Sequence, residues 1–245
     1  ELKRRHSIWN PPLEPVALEH FNKTVEAYFR CYESVMRPCS VPRFPNRHED
    51  SGAASHTGGP VLWPPDKSWP VSSLGAPLSP LLEVIIPELP IVPEPLKGHA
   101  LLQVFLELEL PPPSPKHAPG ARIPEYRDGA FHIELQRSRQ GLATAHRGIP
   151  INPAQVVWEE AESYPCYPND LELIPEQIRD AFEELPRWSE MASERAPSIL
   201  GTHLGGWPAW LDGSDLFEFV LQLDGPFLGI ALGMGGQLYI GHDEH

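Results

Sequence analysis

The sequence predicts an α+β fold made of two related β-rich units, an N-terminal amphipathic helix and an acidic helical insertion. Three observations carry that expectation. A corner motif of histidine, paired glycines, proline and tryptophan occurs twice, an apolar stripe at helical spacing lies near the start, and 31 prolines cut the remainder into short segments. At roughly 13% of residues, proline is well above its usual share of about 5%. It follows no PxxP or Gly-X-Y period, so it reads as many stiff loops between short elements.

The duplication is the strongest signal. His56-Thr57-Gly58-Gly59-Pro60-Val61-Leu62-Trp63 recurs as His203-Leu204-Gly205-Gly206-Trp207-Pro208-Ala209-Trp210. Each copy leads into an apolar strand with a glutamine, Leu102-Gln103-Val104 and Leu221-Gln222-Leu223. Self-similarity of this kind points to duplicated units packed together. Paired glycines permit positive φ and close backbone approach, proline sets the exit, and the tryptophans Trp63 and Trp210 plug the core.

The elements follow in order. Phe21, Val25, Phe29, Tyr32 and Met36 form one stripe, predicting a helix over 16–36 that Pro38 closes. Residues 39–59 turn to Pro, Arg, Asn, Ser and Gly and read as a loop. Residues 81–86 and 100–110 are apolar runs bounded by proline and read as strands, with the proline-studded 87–95 as a loop between them. A stiff connector at 111–115 precedes a strand at 130–135. Pro175 and Glu176 suit the start of a helix that buries Ile178, Phe182 and Leu185. Pro186 ends it and opens a second turn around Trp188 and Met191. Residues 217–223 and 237–241 read as a strand pair joined by the glycine-rich 229–236. Residues 1–50 are thus expected to be a helix and linker, and 51–245 the duplicated domain.

Here the chain resembles a family. Gly-Gly-x-Pro-x-Trp, a strand with Leu-x-Gln, and Gly233-Met234-Gly235-Gly236-Gln237-Leu238-Tyr239-Ile240 look like the YwqG-like domain, a bacterial domain of unknown function. The resemblance spans roughly residues 50–245. The chain departs from it in a long proline-rich insertion after the first corner and in Met234, where relatives usually carry aspartate. The family supplies no catalytic residues. Some members are immunity proteins against secreted toxins, including DNA-degrading effectors of type VI secretion, so the resemblance implies a toxin-binding role.

Charge supports that role independently. Residues 1–50 are nearly balanced, whereas 155–195 hold eleven acidic residues and three arginines, and 196–245 hold six acidic residues and no Lys or Arg. Those two stretches account for the whole formal charge of −14. Such a field repels nucleic acid and anionic lipid and attracts basic surfaces. With the toxin-binding role that the resemblance implies, the expected partner is a cognate toxin with a basic cleft, and the candidate contact residues are Glu159, Glu160, Glu162, Asp170, Glu172, Glu176, Asp180, Glu183, Glu184, Asp212 and Asp215. The plainer reading of the same acidity is solubility.

Catalytic and metal chemistry find little support. No HxxxH, HExxH or zinc-type Cys/His spacing exists, although His56 and His203 could converge in a duplicated fold. The late glycines lack the GK[ST] of a phosphate loop, and no G-x-S-x-G elbow is present. Cys31, Cys39 and Cys166 are odd in number and unpaired in spacing, which fits reduced thiols in a cytoplasm. Charged Glu1–Arg5 is followed by no apolar run, so no signal peptide is expected. The expectation is a cofactor-free, metal-free, non-enzymatic protein. The alternative is a small-ligand or carbohydrate-binding module using Trp63, Trp69, Trp207 and Trp210 at the corners.

Overall fold

The computed structural model describes residues 15–46, 52, 54–109, 130–165, 174–185, 188, 191, 194, 199–209, 218–230 and 237–242. The helix α1 runs Pro15–Ser34, close to the predicted span. Strands β1 (Arg37–Arg43), β2 (His56–Thr57), β3 (Val61–Trp63), β4 (Ser79–Ile85) and β5 (Leu101–Leu106) follow. Then come β6 (Phe131–Gln136), β7 (Ala143–Ala145), β8 (Ala154–Gln155) and β9 (Val157–Ser163). Helix α2 (Glu176–Glu183), β10 (His203–Gly205), β11 (Glu218–Asp224), the single-turn α3 (Gly225–Leu228) and β12 (Gln237–His242) complete the described elements.

The fold class expected above is corrected: the chain is mostly β. Twelve strands form three antiparallel sheets among the described residues, against three helices. Short proline-bounded segments are too brief to bury a helical stripe but long enough to pair, so they resolve as strands. Helices α1 and α2 belong to a different compact unit from the sheets. The chain divides into two compact units, Glu1–Val35 with Asp170–Pro197, and Met36–Asn169 with Ser198–His245.

In the helical unit, Tyr28 stacks on Phe182 with centroids 3.8 Å apart, and Phe29 meets the same ring edge-on at 5.6 Å. Phe29, Tyr32 and Phe182 are buried as the periodicity predicts, while Tyr28 joins them from outside the predicted stripe. Of the second helix expected around Trp188 and Met191, those two residues and Glu194 are described, and they are helical.

In the β unit, one five-stranded sheet runs β12-β11-β10-β1-β9 and the other β6-β5-β4-β2-β8. Alternate residues of both supply one apolar core, including Leu82, Val104, Leu204, Leu221 and Leu223. The chain changes sheets at Val156, between β8 and β9, where its N–H donates to the Ser55 carbonyl at 2.9 Å. The two-stranded β3-β7 ribbon pairs Val61 with Ala145 and Trp63 with Ala143.

Strand β1 is the other correction, because 39–43 was expected to be loop. It pairs with β9 over all seven residues but with β10 only through Cys39 and Ser40. Pro38 and Pro42 bracket those two residues, so the missing N–H groups fall where the β10 ladder stops. The predicted 217–223 and 237–241 strands pair as β11 and β12. The glycine-rich residues 231–236 and the connector 111–115 lie outside the described residues.

Candidate functional site: the two glycine corners

Laying β2 on β10 aligns β4 with β11, β5 with β12 and β8 with β1. His56 lies opposite Glu83, and His203 opposite Gln222. Both β4 and β11 carry a bulge at the same place, between Pro80 and Leu82 and between Phe219 and Leu221. The glutamine correspondence in the sequence repeat therefore shifts. Gln222 matches Glu83, and Gln103, opposite Glu83, matches Tyr239, opposite Gln222.

The hydrogen bonds follow that alignment. Leu62 and Ala209 each stand three residues beyond their Gly-Gly pair. The Leu62 N–H donates to Glu83 Oε2 at 2.8 Å, and the Ala209 N–H donates to Gln222 Oε1 at 2.9 Å. Their carbonyls are held from the next strand, Leu62 by the Gln103 amide at 2.6 Å and Ala209 by the Tyr239 hydroxyl. Before each histidine a hydroxyl accepts a backbone N–H: Ser55 Oγ from Ile85 and Thr202 Oγ1 from Asp224, both at 2.9 Å. Three side chains thus clamp each corner in the same way.

The glycines explain the corner's local geometry. Gly58 and Gly59 have φ of 59° and 71°, and Gly205 and Gly206 have 69° and 75°. Their second members are also crowded. A Cβ on Gly59 would lie 2.7 Å from Pro153 Cβ, and one on Gly206 2.6 Å from Ser163 Cβ. Trp63 is buried with its Nε1–H donated to the Lys67 carbonyl at 3.0 Å. Trp210 lies outside the described residues.

The two corners differ in charge. His203 is fully buried, and its ring nitrogens face the carbonyls of Gly201 and Trp207, each at 2.9 Å. Burial pulls its pKa below the ordinary value, and the two carbonyls only partly offset this. In the first corner, His56 Nδ1–H donates to the Gly58 carbonyl at 2.8 Å, and Nε2 lies 3.5 Å from Glu83 Oε1. Burial opposes charge on this ring too, but the Glu83 carboxylate and the Gly58 and Thr57 backbone outweigh it, so His56 is held above its ordinary value. Glu83, 3% exposed, is pushed up by burial and pulled further down by His56, Gln103 and the Leu62 N–H, ending below the usual carboxylate range.

Sequence reasoning did not single out Glu83 or Gln155. Glu83 had a signal, being the one charged residue in the apolar run 81–86, where a charge requires a buried partner. Gln155 had none, since only the pairing of β8 with β2 sets it directly opposite His56. An open groove of about 410 Å³ lies there, lined by Ala54, His56, Pro60, Pro153 and Gln155.

The acidic residues fall in two places. Glu159, Glu160 and Glu162 are exposed on β9, the end strand of its sheet, with Glu159 paired to Arg43. On α2, in the other unit, Glu176, Asp180 and Glu184 are exposed and Glu183 is half-buried. Arg179 meets Asp180 at 3.3 Å. Asp170, Glu172, Asp212 and Asp215 lie outside the described residues.

Other chemistry is sparse. Cys39 is buried, and burial pushes its thiol up to about 11, which suits packing rather than reactivity. Cys166 lies outside the described residues. Among the described residues no group of three or more His, Cys, Asp or Glu could hold a metal, and no helix is long and apolar enough to cross a membrane. His56 and His203 sit in different sheets, each tied to its own corner. Trp63 and Trp69 are buried, and the Arg37 guanidinium lies 3.5 Å over the Trp207 ring, which leaves those three poor sugar platforms.

Fold and corners together define a duplicated antiparallel β protein with one polar clamp in each repeat. Compared with known proteins, the chain matches no family model and no curated protein.

Proposed function

We propose that this protein works by binding another protein, as a YwqG-like immunity protein that covers the basic cleft of a cognate nuclease toxin. The observation that carries the reading is the set of exposed carboxylates on β9 and α2: Glu159, Glu160, Glu162, Glu176, Asp180 and Glu184. A nuclease must present positive charge to phosphate, and acidic groups on an inhibitor steer the encounter. The reading is non-enzymatic and needs no cofactor; its cytoplasmic setting follows from the same role. The decisive experiment is affinity capture from the native bacterium, followed by a nuclease assay with the captured partner. A co-purifying basic nuclease inhibited in proportion to added protein supports the reading; a partner without nuclease activity sinks it.

A second reading, a small-ligand module, is favoured by the groove beside His56. It no longer rests on a tryptophan platform, because Trp63 and Trp69 are buried.

A further inference from the structure

Each five-stranded sheet ends on strands whose outer side has no strand beside it among the described residues. A regular open edge recruits further strands, and proteins usually blunt it. Strand β8 is blunted by having only two residues, and β9 by the exposed carboxylates of Glu159, Glu160 and Glu162. Strand β12 joins its neighbour through a bulge and runs out at the exposed Gly241 and His242. Strand β6 has no such device. Phe131-His132-Ile133-Glu134-Leu135-Gln136 contains no proline and pairs with β5 without a break in register.

The backbone phase of β6 is fixed at its two ends. The Ala130 carbonyl accepts from the Glu107 N–H and the Gln136 carbonyl from the Ala100 N–H, each at 2.7 Å. In an antiparallel ladder, residues bonded to one neighbour alternate with residues that face the other way. The N–H and C=O groups of Phe131, Ile133 and Leu135 therefore point away from β5, to the open side. Their side chains share one face, where Ile133 and Leu135 pack only partly against the core and Phe131 is 41% exposed. His132, Glu134 and Gln136 share the other face. There Glu134 accepts from Lys67 at 2.6 Å and from His132 and Gln136, both at 3.0 Å.

That pattern is complementary to itself. Two copies related by a two-fold axis join such edges antiparallel, and outward-pointing residues must meet outward-pointing residues. An axis through Glu134 would set two carboxylates directly opposite each other, which is destabilising. An axis through His132 would leave half of each strand unpaired. An axis through Ile133 sets that residue against its own copy, Phe131 against Leu135 of the second copy, and His132 against Glu134 of the second copy. Apolar side chains then meet on one face, and a donor meets a carboxylate on the other.

We propose that this protein forms a homodimer through β6, with the two strands joined antiparallel about Ile133 and the two sheets continuous across the seam. Backbone hydrogen bonds at Phe131, Ile133 and Leu135 hold it, and the exposed Phe131 ring gains a cross-strand partner. The dimer does not depend on the toxin-binding reading.

The test is sedimentation velocity of the full-length protein from about 1 to 200 µM, with amide hydrogen exchange measured at both ends of that range. The mass should rise from one chain to two. The amides of Phe131, Ile133 and Leu135 should become protected only at high concentration, whereas those of His132 and Glu134, bonded to β5, are protected throughout. Ile133→Pro removes an outward N–H and should weaken association about tenfold or more. Phe131→Lys, at an exposed position, should do the same with the fold intact, which covers the case that Ile133→Pro misfolds. His132→Glu should weaken it through Glu134 of the second copy. A monomer across the whole range would overturn the proposal. So would a dimer whose outward β6 amides exchange alike at both concentrations, or one that forms undiminished in folded Phe131→Lys or His132→Glu protein.

Discussion

Glu83 and Gln222 occupy the same place in the two repeats: each lies opposite its corner histidine and accepts the backbone N–H three residues beyond the paired glycines. One is a carboxylate and the other its neutral isostere, so the duplicated fold contains its own substitution experiment. Removing the acceptor altogether should be costly. Glu83→Ala leaves the Leu62 N–H and one of the two Gln103 amide N–H groups without an acceptor inside the protein, and should destabilise by about 3 kcal/mol in urea unfolding. Glu83→Gln should restore most of that loss. A Gln variant as unstable as the Ala variant would mean that the charge, rather than the hydrogen bond, holds the first corner.

The two histidines should respond to pH with opposite signs. His56 has a raised pKa, so its contribution is complete below its unfolded value of about 6.5 and fades as pH rises through the folded value. Glu83 has a lowered pKa; its contribution is complete above its unfolded value of about 4.3 and is lost as pH falls through the folded value. The pair is therefore strongest between those two unfolded values. His203 has a lowered pKa, so its neutral ring contributes fully above about 6.5 and that contribution is lost on acidification. On going from pH 8 to 5.5, His56→Gln should steepen the loss of stability and His203→Gln should flatten it. Parallel profiles for the two variants would refute the assignment.

The glycines separate strain from crowding. Gly206→Ala meets Ser163 Cβ and Cys39 Cβ in addition to its positive φ, and should cost about 2–4 kcal/mol. Gly75 has φ of 80° with nothing within 4 Å of a new Cβ, so Gly75→Ala should cost only about 1 kcal/mol. Equal melting temperatures for the two variants would show that the second corner yields where Ser163 and Cys39 press on it.

The acidic residues can be tested by unit. If the partner is a basic nuclease, replacing Glu176, Asp180, Glu183 and Glu184 by Gln or Asn should slow association at low salt and flatten its salt dependence, with the fold intact. The same experiment with Glu159, Glu160 and Glu162 asks the question of β9. Stopped-flow rates unchanged in both sets would reduce the acidity to solubility.

How much of this was legible beforehand follows from how far each determinant acts along the chain. Helix α1, the positive-φ glycine pairs, the acidity of the C-terminal part and the repeat itself rest on preferences that operate within a few residues, and the sequence alone determines them. The β class, the role of β1 and the true partner of Gln222 do not. Two prolines disguise β1, which becomes a strand because β9 pairs along its whole length from more than a hundred residues away. Aligning Gln103 with Gln222 is the natural reading of a linear repeat, yet β4 inserts between β2 and β5 and hands the acceptor's place to Glu83. Only the tertiary structure decides such pairings, because a strand's neighbours are chosen by buried surface and hydrogen bonds contributed by distant segments, and those leave no local mark.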